Sequence, residues 1–292
     1  MAREAASVHD ATWVLNADAD EFWVAEDPAR TLREAFMDIP TEYQAFEVPV
    51  IDMTGAPALE GSGLSRLTLR DNRSTKRINA LGHHAHATND VVFIGNPDVE
   101  VAQGNHFVNM ECHGRPRPGK GIEVLHLPWR SWKQLSRKVE NSGLAYEKSG
   151  LTPSPNHHGM RDYRRLREGL LYSYYLARHP LADERVELSN ELREDRRLAD
   201  RIEDPVADVP VSAREWEASS AAVEALVRLE NQLSELSGLR DAYERSETQV
   251  RLLEEHVHQL EDVQSQLVAE VEAYRNSRAV RALHALGRLR SH

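Results

Sequence analysis

Trp13-Val14-Leu15-Asn16-Ala17-Asp18-Ala19-Asp20-Glu21-Phe22-Trp23 is the stretch on which the reading of the fold turns. Trp13-Val14-Leu15 is an apolar run of buried-strand length, and it leads directly into three acids, Asp18, Asp20 and Glu21. Strand alternation predicts that Asp18 and Asp20 share one side. Two carboxylates on one side at a strand's end can share a hard divalent cation. Mg²⁺ and Mn²⁺ prefer oxygen ligands and are commonly held by one or two carboxylates plus a substrate's phosphates. In open α/β sheets, ligands sit beyond the carboxyl ends of strands, where these acids would lie. A bare Asp-x-Asp is more often a solvated turn, because acids favour turns and caps. The apolar strand before this pair and the aromatic closure by Phe22 and Trp23 argue for a site.

The segment Asp18-Ala19-Asp20-Glu21-Phe22, preceded by Trp13-Val14-Leu15, resembles the Asp-x-Asp region of family 2 glycosyltransferases. More narrowly, it is similar to a bacterial subgroup with an aspartate-rich signature. A second block is Val124-Leu125-His126-Leu127-Pro128-Trp129-Arg130-Ser131, followed by Gln134, Arg137, Lys138 and Gly143. It resembles the subgroup's His-x-Pro-x-Arg-Ser and Lys region. Gly104-Asn105-His106 and His158-Gly159-Met160-Arg161 resemble further recurring points, and the four blocks stand in family order across residues 1–180. The resemblance implies a GT-A (Rossmann-like) α/β catalytic domain. It implies a nucleotide-sugar donor, a hydroxyl acceptor on a glycan or lipid-linked molecule, and Mn²⁺ or Mg²⁺ as cofactor. It implies Asp18, Asp20 and His126 as metal ligands.

Twelve residues precede Trp13. In the GT-A fold a nucleotide-binding half precedes this motif, so the expectation is a catalytic region lacking that half. Residues 3–8 would then be the tail of its last helix. Arg130 and Ser131 open a helix predicted over 131–143, whose first backbone N–H groups suit an anion. Arg130 can grip phosphate bidentately, Arg137 and Lys138 add positive charge, and Asp18, Arg130, Ser131 and Lys138 are the expected donor-binding residues. The expected general base is a carboxylate. Glu123 stands three residues before His126 and faces the other way on a strand. Glu111 and Asp98 are the remaining candidates.

Formal net charge is −11, which argues against a nucleic-acid partner, since such proteins carry a basic footprint. The one cysteine, Cys112, permits no disulfide within the chain and suits a reducing compartment. No signal-peptide core or membrane-length apolar run stands in the sequence. The expected location is the cytoplasm, including a peripheral place at the inner face of the membrane.

Periodicity predicts helices over 28–37 and 162–178, and strands over 43–50, 75–79, 91–94 and 122–127. His83-His84-Ala85-His86 offers alternate imidazoles, but zinc needs a third ligand, and the segment reads as a polar loop lining an acceptor cleft. Residues 181–218 read as a charged linker. From residue 219 to 276 apolar residues step by three and four, from Leu226, Leu229, Leu233 and Leu236 to Leu267, Val271 and Tyr274. That is a heptad seam with a stammer near Gly238, and it predicts a coiled-coil homo-oligomer. Residues 277–292 form a basic amphipathic tail suited to an anionic leaflet. Two other classes fit parts of the sequence. One is a catalytically degenerate scaffold that keeps the coiled coil. The other is a metal-dependent phosphotransferase or nuclease, which uses paired acids without the Arg-Ser block.

Overall fold

The computed structural model describes residues 1–40, 42–84, 87–102, 106–150, 157–187 and 190–275. His86, Gly104, Asn105, the loop 153–156 and the tail 277–292 lie outside the described residues. The chain divides into two units, Met1–Val227 and Arg228–His292.

The first unit runs α1 (Ala2–Ser7), β1 (Trp13–Leu15), β2 (Glu21–Ala25), α2 (Leu32–Asp38), β3 (Ala45–Val48), β4 (Val50–Thr54), β5 (Ala58–Glu60), β6 (Leu69–Asp71) and α3 (Thr75–Ala80). It continues with β7 (Asp90–Ile94), β8 (Ile122–His126), α4 (Trp132–Ser149), α5 (His158–Arg167), α6 (Leu171–Arg178), α7 (Ala182–Glu187), β9 (Leu192–Glu194), α8 (Arg197–Arg201) and β10 (Val209–Pro210). The helix α9 (Ala213–Arg275) begins here and forms the described part of the second unit. The protein is thus mixed α/β with a long C-terminal helix.

Strand β8 is the organising strand. Its residues Ile122 to Leu125 are all buried, as expected of a strand covered on both faces. Ile122 and Val124 pack with Phe46, Val48, Val92 and Ala35, while Leu125 packs with Met53, Leu64 and Leu67. It lies second in a five-stranded sheet ordered β2-β8-β4-β6-β9. It pairs antiparallel with β2, placing Glu21 opposite His126, and parallel with β4, placing Asp52 opposite His126. A second, antiparallel sheet is ordered β1-β7-β3.

Several expectations are revised by local chemistry. Residues 43–50 form two strands because Pro49 lacks the N–H that a continuous ladder needs; β3 ends before it and β4 begins after it. Residues 75–80 are helical, not extended: the Ser74 side chain accepts from the Arg77 backbone N–H and caps α3. The helix expected over 162–178 is two helices, broken at Gly169, whose φ of 75° is left-handed. Residues 181–218 are not a linker: β9 pairs with β6, and β10 pairs with β5. Arg197 in α8 supplies the reason, because it and Arg70 hold the buried Glu123 at 2.5 and 2.7 Å. The start of α9 also belongs to this unit. Trp216 donates its indole N–H to the Leu176 carbonyl at 3.1 Å, and Val223 is buried against Tyr174 and Ala177. The exposed heptad stripe therefore begins after Val227, not at residue 219.

Helix α4 carries Lys138 and is fixed by two features. Ser131 caps its N-terminus, accepting from the Gln134 N–H at 3.4 Å. Gly143 lets α5 approach: a Cβ there would lie 2.2 Å from the Tyr163 ring. No helix among the described residues is long and apolar enough to cross a membrane.

Candidate active site

Strand β1 ends at Leu15 and β2 begins at Glu21, so Asp18 and Asp20 both lie in the intervening turn. Strand alternation does not govern them there. Asp20 is buried and Asp18 is exposed. The turn is closed by its own groups: the Asp18 N–H donates to Glu21 Oε2 at 3.0 Å, and the Glu21 N–H to the Asp18 carbonyl at 3.1 Å. The Leu127 N–H donates to the Asp20 carbonyl at 2.9 Å and ties the turn to the end of β8.

That tie brings Asp20 and His126 together, with Oδ2 and Nε2 3.9 Å apart. His126 is held from behind. Its Nδ1 lies 2.8 Å from Asp52 Oδ1; the carboxylate accepts from Nδ1–H, and Nε2 faces Asp20. Asp52 is neighboured in turn by Asp71, on the strand beside it. Two buried acids side by side need a cation. Arg178 of α6 supplies it, bonding Asp71 and reaching Asp52 Oδ2 at 3.4 Å. Arg73 adds a second bond to Asp71 at 2.8 Å. Arg73, Arg178 and Asp71 are almost wholly buried, so this chain is a rigid support behind the imidazole. The arginines hold the Asp71 carboxyl well below the usual range, outweighing the burial that would raise it.

Lys138 approaches the acids from α4, its Nζ 2.6 Å from Asp20 Oδ2. Burial alone would raise the Asp20 carboxyl; the Lys138 ammonium and then His126 outweigh it and keep the carboxyl below its ordinary value. Asp90 behaves oppositely. It opens β7, next to the turn that carries Asp18. Burial first, then the neighbouring Glu21 and Asp18 charges, push its carboxyl up to about 7. His106 Nδ1 lies 3.1 Å from Asp90 Oδ1, while Asp90 Oδ2 is buried with no hydrogen-bond partner. The two buried carboxyls thus shift in opposite directions, each set by its own neighbours.

The fit to a divalent cation can be tested on these atoms. Two donors, each about 2.1 Å from one ion, stand no more than about 4.2 Å apart. The 3.9 Å between Asp20 Oδ2 and His126 Nε2 is within that limit but longer than the roughly 3.0 Å between adjacent octahedral ligands, so the pair must close slightly to share one ion. The unpartnered, buried Asp90 Oδ2 and the surrounding negative charge of Asp18 and Glu21 also favour a cation. Among the described residues no three His, Cys, Asp or Glu side chains converge as a ready-made ligand cage. A two-donor protein contribution suits an ion that completes its shell with phosphate and water.

Of the residues singled out in the sequence, Asp20, His126 and Lys138 meet at one point, and Asp18 lies at its exposed edge. Arg130 and Ser131 stand at the start of α4, two turns and about 10 Å along the axis from Lys138. The Ser131 hydroxyl is engaged as the helix cap, whereas Arg130 Nε is buried without a partner. Glu123 is locked in the Arg70 and Arg197 pairs on another side of the sheet. Asp98 and Glu111 are exposed. Asp52, Asp90 and the Glu21 carboxylate were not legible as site residues. Their signal was the ladder register beside His126 and Asp18, which the sequence does not print. His84 and His158 form a second imidazole group, with ring centroids 4.9 Å apart. A pocket lined by Trp13, Leu32, Phe36, Met37 and Ile39 contains none of these acids. No protein-family model and no curated protein matches the chain.

Proposed function

We propose that this protein is a metal-dependent glycosyltransferase of GT-A type, moving a sugar from a nucleotide-sugar donor to a hydroxyl on a glycan or lipid-linked acceptor. The observation that carries the reading is the 3.9 Å approach of Asp20 Oδ2 to His126 Nε2 at the end of β8, with a cation-bearing helix beside it. Asp20 and His126 would hold Mn²⁺ or Mg²⁺, with the expected third ligand Asp18 left at the exposed edge. When bound, the ion supplies Lewis-acid neutralisation of charge on a departing diphosphate. The chain's own residues do the rest. Asp52 keeps the Nε2 lone pair of His126 directed into the site. Lys138 and Arg130 bind phosphate oxygens and offset their charge electrostatically. Asp90, whose raised carboxyl lies beside Glu21, takes the acceptor hydroxyl's proton. A glycosidase would place its two carboxyls across one bond, about 5 Å or more apart. Here the acids gather on one side of a histidine and a lysine, which favours ion and phosphate binding over hydrolysis.

One observation favours a second reading, a scaffold derived from such an enzyme: the exposed apolar stripe of α9. Calorimetric titration of the full chain with Mn²⁺, then with uridine, guanosine and thymidine diphosphates, separates the two. The transferase reading expects Mn²⁺ binding and Mn²⁺-dependent binding of one diphosphate. Binding of neither overturns it.

A further inference from the structure

The second unit offers a surface whose partner can be specified. From Leu239 onward the a/d steps of α9 keep one frame for about five heptads, past the minimum for a coiled coil, with polar residues only at Ser246 (d) and Gln264 (a). Val250, Val257 and Val271 occupy a positions, and Leu253, Leu260 and Leu267 occupy d positions. All six are exposed in the single chain. β-Branched residues at a with leucine at d favour two strands over three or four.

We infer that α9 pairs with a second copy of this chain as a parallel, in-register, two-stranded coiled coil. The flanking residues decide the direction. In a parallel pair, each g residue meets the e residue five places on in the other copy. His256 then meets Glu261, Gln249 meets Glu254, and Glu270 meets Arg275; Val263 meets Val268. Each of these pairs is opposite in charge, hydrogen-bonding or apolar. In an antiparallel pair e faces e, and the stripe of Glu247, Glu254 and Glu261 would lie against its own copy. The core is compatible with the same answer. Gln264 sits at an a position. In the parallel arrangement it meets its own copy, and the two amides hydrogen-bond. In the antiparallel arrangement a layers against d, so the amide would lie against leucine or, in one register, against Ser246, and the row of glutamates at e decides between the two directions. A single polar a residue fixes register at some cost in stability.

The test uses the full chain. Sedimentation equilibrium should give twice the 33.1 kDa chain mass; a monomer or a trimer overturns the inference. With Cys112→Ser as background, Leu239→Cys and Leu267→Cys are made singly and oxidised. Both should cross-link to themselves. The two sites lie 28 residues apart, about 42 Å along a helix, so an antiparallel pair cannot satisfy both. Cross-linking only between a mixture of the two variants overturns the direction. A second pair of variants leaves the core intact. Glu270→Arg should weaken the dimer several-fold, and adding Arg275→Glu should restore it. Residues five apart are not neighbours on one helix, so rescue reports a contact between copies. Absence of rescue overturns the pairing.

Discussion

Lys138 and a bound cation would compete for the same oxygen, and this gives the sharpest prediction. Lys138 Nζ lies 2.6 Å from Asp20 Oδ2, with Asp20 buried and the lysine side chain 49% exposed. A charge-assisted bond to a buried carboxylate can contribute about 1.5–3 kcal/mol. Half-exposure screens the lysine, and exposed pairs contribute about 0–1 kcal/mol. A working value is about 1 kcal/mol, or roughly fivefold in affinity. Lys138→Met removes the competitor, so Mn²⁺ should bind roughly fivefold more tightly. The same change removes a phosphate-binding charge, so nucleoside diphosphate at saturating Mn²⁺ should bind several-fold more weakly. Isothermal titration of wild type and variant reads both constants. Opposite changes in the two affinities are the mark of a lysine that passes from carboxylate to phosphate. Mn²⁺ affinity unchanged or weakened, or diphosphate affinity unmoved, refutes the reasoning.

Asp52→Ala should lower Mn²⁺ affinity roughly 10–100-fold, as loss of a ligand-orienting partner does; calorimetry checks it, and Asp52→Asn, which can still hydrogen-bond Nδ1, should lose less. Arg178→Met leaves Asp52 and Asp71 buried without their shared cation, and should cost about 3–5 kcal/mol in urea unfolding. Gly143→Ala drives a methyl into the Tyr163 ring and should cost about 1–3 kcal/mol by the same assay. Stability should also respond to mild acid. Burial, with the nearby arginines, pushes the His83 and His179 imidazoles well below 6.5. Their folded forms stay neutral where the unfolded chain binds protons, so stability present above about pH 6.5 is lost as pH falls. Asp90 acts in the opposite sense, since its folded carboxyl, pushed up to about 7, holds a proton that the unfolded chain has released. Two imidazoles against one carboxyl leave a net difference of about one proton. The unfolded imidazoles are only half protonated at pH 6.5, so unfolding free energy should fall by roughly 0.8 kcal/mol between about pH 6.5 and 5.5. A flat or rising profile there contradicts the burial of these histidines as neutral groups.

What the sequence revealed, and what it concealed, follows from which forces are local. The strand at Trp13, the buried β8 and the helix opened by Ser131 were legible because periodicity and capping act within a few residues. Residues 181–218 resemble a linker because most of them look solvated: Leu192 is the sole buried side chain in β9, and Arg197 serves an acid 74 positions earlier. Residues 75–79 pattern as a strand, and the Ser74 side-chain cap on the Arg77 N–H makes them helical instead. In the site, His126 and Asp20 were named from sequence, but the alternation argument for Asp18 failed at the turn. Asp52 and Asp90 enter only through strand register, a property of pairing between distant segments that composition and spacing do not encode.

The central claim is that one cation bridges the turn after β1 and the end of β8. Anomalous diffraction from crystals soaked with Mn²⁺ and a nucleoside diphosphate tests it most directly. The account predicts a manganese peak about 2.1 Å from both Asp20 Oδ2 and His126 Nε2, with Lys138 withdrawn from Asp20 toward phosphate. A peak elsewhere, or an Asp20–Lys138 pair that persists with no manganese beside it, contradicts the account.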